Sequence, residues 1–208
     1  VGDLKTIKPE GKYELDKSFE KYVLMPGLVE GHSHLFEGAL WSKLYCGYFD
    51  RQQPDGAISL GIKNVKELIQ KLKQENEKLL DPNEPLAGWG LDPIYFDDKA
   101  LDRKILDVVS DQRPIGILHA SGHKLNINSV GLKLAGFLRT GINHEGLPLS
   151  EDGLPSGEIR GAETIALVTR HVGLGKDWLS GDAEGLRNFG KICARAGVTT
   201  AADLANLQ

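Results

Sequence analysis

Strand-like and helix-like segments alternate along nearly the whole of this chain, and that alternation is what most limits the folds open to it. Asn64 precedes Val65, Leu68, Ile69, Leu72 and Leu79 at helical spacing, with Glu67 as the second half of a capping box, so a helix with one buried face is predicted there. Asp81 to Pro85 stops it, and the short apolar run Leu86 to Gly90 reads as a buried strand. A helix over 101–109, a break at Arg113-Pro114, and an apolar strand from Ile115 to His119 follow. Asn128 to Phe137 suits a helix, 147–157 is a Gly/Pro/Ser loop, and 159–172 again has helical spacing. The last helix, 183–196, ends at Gly197 in a C-cap position, where Val198-Thr199-Thr200 starts a β-branched strand. At the other end, Tyr13, Leu15 and Tyr22 to Met25 read as short strands around a charged turn. The class expected is α/β. A parallel strand launched after a helix needs neighbours on both sides, so the sequence is expected to be an N-terminal fragment of a longer chain.

Charge and composition narrow the functions. With 208 residues, 40% hydrophobic and 26% charged, the chain is long enough to bury a core. Its net charge of −4, with lysines interleaved among acids, offers no footprint for nucleic acid. No run approaches the roughly 18 apolar residues of a transmembrane helix, and Val1 to Glu10 is too polar for a signal peptide, so no membrane partner is expected. Cys46 and Cys193 lie far apart in neither a CxxC nor a disulfide-dense pattern and read as reduced thiols of a cytoplasmic protein.

The segment Met25-Pro26-Gly27-Leu28-Val29-Glu30-Gly31-His32-Ser33-His34 carries the most chemistry. Side chains at i and i+2 of a strand share a face, so both imidazoles can reach one metal ion from the strand's carboxyl end. Isolated His-x-His pairs also arise by chance as surface or core residues. Here the pair follows a Pro-Gly turn and an apolar strand, and the segment resembles the first-strand signature of the amidohydrolase superfamily.

Further landmarks narrow the resemblance. Gly88-Trp89-Gly90-Leu91-Asp92, Leu101-Asp102, Arg113-Pro114, Gly122-His123 with Asn128-Ser129, Gly153-Leu154-Pro155-Ser156-Gly157 and Gly197-Val198-Thr199-Thr200 are similar, in order, to those of amidohydrolase family 3, the YtcJ-like branch. The resemblance implies a partial (β/α) TIM-like barrel with a small β-sandwich portion and a large α/β insertion after the first barrel strand. Residues 1–22 would belong to the sandwich, 23–37 to the first barrel strand, 38–191 to an insertion over the barrel mouth, and 192–208 to the next barrel helix end and strand. It also implies hydrolysis of amide-like, non-peptide carbon–nitrogen bonds by metal-activated water, with a divalent metal, expected to be zinc, and a small-molecule substrate. Homodimer formation is compatible with it.

On this mapping His32 and His34 are metal ligands, and later barrel strands would supply further histidines and an aspartate acting as general base. Glu30 stands where superfamily members commonly have aspartate. The branch often places a glutamate four residues beyond Gly157, where this sequence has Gly161, flanked by Glu158 and Glu163. Glu163 is the candidate displaced ligand, although a helix glutamate is usually just solvated. His123, on a loop after an apolar run, is a candidate substrate contact or equally a packing histidine. Trp89 either lines the pocket, beside Asp92, or anchors the insertion by burying its ring. Hydrogen bonding suffices to explain His119 and Asp203 near strand ends, and His144 and His171 read as surface residues. No catalytic residue is certain within the chain, which is not expected to turn over substrate alone. A metal-binding regulatory or scaffolding protein that kept the fold and lost catalysis is the alternative, with Gly161 as the sign of that loss; a free-standing α/β module without metal is a third.

Overall fold

The computed structural model of the chain describes residues 10–96, 101–175 and 183–203, with the side chains of residues 36, 37 and 42 left aside. It is mixed α/β, as expected, but among the described residues the strands form three separate sheets and no closed barrel. The largest has five strands in the order β2-β5-β6-β7-β8: β2 (Leu44–Tyr45), β5 (Leu86–Leu91), β6 (Ile115–His119), β7 (Lys124–Ile127) and β8 (Glu158–Arg160). The first three run parallel; β7 and β8 pair antiparallel. A hairpin of β3 (Arg51–Gln52) and β4 (Ile58–Ser59) stands apart, and β1 (Leu28–Ser33) pairs in parallel with β9 (Val198–Asp203), across most of the chain.

The strand period of two explains how the five-stranded sheet is covered on both faces. Ile115 and Ile117 of β6 meet Leu68 and Leu72 of α1 (Val65–Lys78) and Leu106 of α2 (Arg103–Asp107) in one core. On the opposite face, Leu125 and Ile127 of β7 join Leu132 of α3 (Ser129–Leu134) and Ile165 and Val168 of α4 (Ala162–Val168). The α1 start follows its cap: the Asn64 carboxamide accepts the Glu67 N–H at 2.9 Å. Glu67 reaches back to the Lys63 N–H at 2.8 Å, one residue earlier than the expected box.

Buried polar side chains tie the helices to this sheet. Asn128 is fully buried and satisfied: its oxygen accepts from Ile115 and Gly131, both at 3.0 Å, and its nitrogen donates to the carbonyls of Ser110 and Arg113. Arg113 donates to Asn76 and to the carbonyls of Leu79, Asp81 and Glu84, closing the turn after α1. Arg103 and Lys104 hold Asp152 and so fasten the glycine-rich loop to α2; these two cations, Lys104 foremost, lower the Asp152 carboxyl to about 2. The landmark residues Asn128 and Arg113 thus serve packing.

Several predicted elements differ. Residues 10–27 form no strand, and Tyr13, Leu15, Tyr22 and Met25 are exposed; residues 1–9 of the segment assigned to a sandwich lie outside the described residues. The helix predicted over 159–172 is split: β8 comes first, then Gly161 at φ +80° turns the chain into α4. The last helix, α5 (Ala183–Arg195), ends as predicted, with Gly197 at φ +76°. Among the described residues no helix is long and apolar enough to cross a membrane.

Candidate metal centre

β1 runs into the histidine pair. Gly27 precedes it because a Cβ there would lie 2.1 Å from the Thr199 hydroxyl of the neighbouring strand. The Leu28 N–H bonds the Gly197 carbonyl at 2.9 Å, which starts the parallel register. His32 lies in the strand and His34 one residue beyond it, still extended at φ −117°, ψ 97°. Their rings stand 5.4 Å apart at an interplanar angle of 88°, as side chains at i and i+2 on one face should. Ser33 between them points the other way and is buried. The Glu30 carboxylate accepts the His32 backbone N–H at 3.0 Å and so braces the strand end.

From the other strand, Asp203 sits opposite Ser33. One of its oxygens accepts the Leu35 N–H at 3.1 Å and the other lies 3.8 Å from His34 Nδ1. A 3-10 helix, Leu35–Ser42, follows His34 at once, and α5 packs against it. Two imidazoles on one face at the carboxyl end of a strand fit half of a zinc site, which takes three or four protein ligands. Among the described residues no group of three or more His, Cys, Asp or Glu side chains is placed to hold a metal ion, so Glu163 is not gathered with the pair. Glu163 is exposed in the first turn of α4.

The remaining candidates lie in the five-stranded part. His123 is exposed in the β6–β7 turn, where its carbonyl accepts the Gly161 N–H at 3.0 Å. Trp89 of β5 is 8% exposed and packs against Tyr45 and Trp41, at 5.5 and 6.0 Å between ring centroids, with the Arg51 guanidinium 4.5 Å from its own. That geometry suits an anchor joining the sheet to the segment after His34. Asp92 accepts the Ile94 N–H and caps a short 3-10 helix. His119 is buried with Nε2 2.5 Å from Asn126 Oδ1, and burial lowers its pKa. Since Asn126 Nδ2 donates to the Leu101 carbonyl, its oxygen faces His119, which makes Nε2 the donor. His144 Nδ1 accepts the Gly146 N–H within a loop. The contact that sequence reasoning missed is that of Asp203 with the histidine strand; 168 residues separate it from Leu35, and no local pattern announces such a pairing.

The profile of the Amidohydrolase family matches residues 21–208, and the chain belongs to that family. It is 28% identical over 210 residues to Protein LONG AFTER FAR-RED 3 of Arabidopsis thaliana, covering 98% of this chain and 33% of that protein. To Putative amidohydrolase YtcJ of Bacillus subtilis (strain 168) it is 28% identical over 167 residues, covering 73% of this chain and 29% of that one. The chain therefore spans about a third of the length of these curated relatives. Among solved structures, an uncharacterized metal-dependent hydrolase from Pyrococcus horikoshii OT3 is similar over 85% of this chain and 30% of its own, at a TM-score of 0.47 and 18% identity.

Proposed function

We propose that this chain carries the metal-binding first strand of a hydrolase that cleaves amide-like carbon–nitrogen bonds of small molecules. The observation that supports this reading most is the placement of the His32 and His34 rings 5.4 Å apart at the end of β1, in a member of the amidohydrolase family. Histidine binds a metal through a neutral imidazole nitrogen, and each of these rings offers one. A bound Zn²⁺ would supply a water of pKa about 7 and polarise the carbonyl under attack. The chain's own part is to hold two imidazoles side by side, with Glu30 bracing His32 from the backbone. The remaining ligands and the general base belong, on this reading, to barrel strands elsewhere in a whole protein about three times as long, as the relatives are.

A second reading, a metal-binding regulator without catalysis, has one observation in its favour. Gly161, where the branch often carries a glutamate, sits at φ +80°, a backbone conformation that L side chains rarely adopt. The position is shaped for glycine. Elemental analysis of the whole protein and of its His32→Ala/His34→Ala variant, with an assay on N-acyl amides alongside, separates the readings. Zinc and activity lost together support the hydrolase; zinc lost from a protein that hydrolyses none of a broad amide panel supports the regulator. Unchanged metal content contradicts both.

A further inference from the structure

We infer that Asp203 is a positioning residue that holds His34 as its Nδ1–H tautomer and so leaves Nε2 as the nitrogen offered to a metal; the second clause rests on reading His32 and His34 as a ligand pair. The geometry comes from the parallel register. Asp203 is the last residue of β9 and pairs with Ser33, so its side chain reaches past the end of β1 to the residues just beyond. There the Leu35 backbone N–H binds one carboxylate oxygen at 3.1 Å, which limits the group's rotation. The other oxygen is left facing the imidazole, 3.8 Å from Nδ1.

Two features make that oxygen consequential. The Asp203 side chain is only 13% exposed, and His34 Nδ1 is out of contact with solvent, so water does not compete for the nitrogen. A carboxylate beside one ring nitrogen stabilises a proton there and fixes the lone pair on the other. The separation exceeds hydrogen-bond length by about 1 Å, a gap that a small rotation of the ring closes, and functional hydrogen bonds are often long before the ligand is in place. Asp203 does not complete a ligand trio among the described residues, which suits a role through His34 rather than on the metal. Glu30, by contrast, bonds the backbone of His32 and not its ring.

The test is the tautomer itself, read from long-range ¹H–¹⁵N correlations of the histidine rings in metal-free protein near neutral pH. His34 is expected as Nδ1–H in the wild type, shifting toward Nε2–H in Asp203→Ala. A wild-type spectrum showing Nε2–H overturns the proposal, as does an unchanged Nδ1–H preference in Asp203→Ala with the β1 amide signals intact. Should Asp203→Ala lose the strand pairing, Asp203→Asn, nearly equal in volume, serves instead: a weaker Nδ1–H preference is expected, and an unchanged one overturns. Zinc titration adds an independent arm, with binding expected to fall roughly 10- to 100-fold in Asp203→Ala. Zinc binding equally strong in wild type and variant counts against a positioning role. If the wild type takes up no zinc, the ligand-pair reading fails while the tautomer result stands or falls separately.

Discussion

The five-stranded sheet and the β1–β9 pair obey opposite economies of burial. In the former, Ile115, Ile117, Leu125 and Ile127 are all at 0% exposure and each face has its own core. In β1 every residue but Ser33 is exposed, and Val29 is 70% exposed. A parallel pair is normally covered on both faces, and two strands by themselves are marginal. The middle of the chain folds around its own core, while His32 lies in, and His34 one residue beyond, a strand that is exposed at all but one position. Such a strand depends on its ladder with β9 and, under the proposed function, on further barrel strands.

The largest effect that would break this contrast is on stability. Leu72→Ala, at a fully buried position of α1, is expected to cost about 2–5 kcal/mol, and Val29→Ala within about 0.5 kcal/mol, by denaturant unfolding. Comparable costs would mean that β1 is as well packed as the larger sheet.

A smaller effect is that of pH. Burial lowers the His119 pKa, so the unfolded chain, with histidine at its ordinary 6.5, takes up the proton more readily than the folded one. Its contribution to stability is therefore full above about 6.5 and declines as pH falls below it, by at most about 1.4 kcal/mol per pH unit. Thermal melts of wild type and His119→Gln between about pH 7 and about pH 5 should converge toward neutrality and diverge in acid, with the variant the flatter. Parallel curves would contradict a neutral buried imidazole.

The smallest perturbation sharpens the contrast without altering either region. The Cys46 thiol is fully buried beside β5 and pushed up to about 12, whereas Cys193 on α5 is half-buried. A disulfide reagent should label Cys193 in the native protein and Cys46 only as the five-stranded core opens. Equal rates would show that the core is not the more stable part.

What the sequence made legible follows the same line. α1 and β6 are readable because each carries its signal locally: a cap at Asn64 before helical spacing, and an unbroken apolar run from Ile115. The histidine pair is readable because strand period places i and i+2 together. β7 and β8 escape because Lys124 and Asn126 interrupt the one and Glu158 and Arg160 flank a single apolar residue in the other; their identity as strands comes from the ladder that joins Lys124 to Arg160 and Asn126 to Glu158. The exposed stretch around Tyr22 to Met25 has strand-like residues without a partner strand among the described residues, and β-propensity without pairing does not make a strand. Asp203 escapes as part of the histidine site for a like reason, since only the parallel register brings it there.

Zinc titration followed by the ¹⁵N shifts of the histidine rings asks whether His32 and His34 act as one metal-binding pair. Both rings are expected to respond together and saturate at one equivalent, while His119, His123 and His144 stay in place. Rings that respond separately, or a zinc-induced change centred on His123 with the pair unmoved, would contradict it.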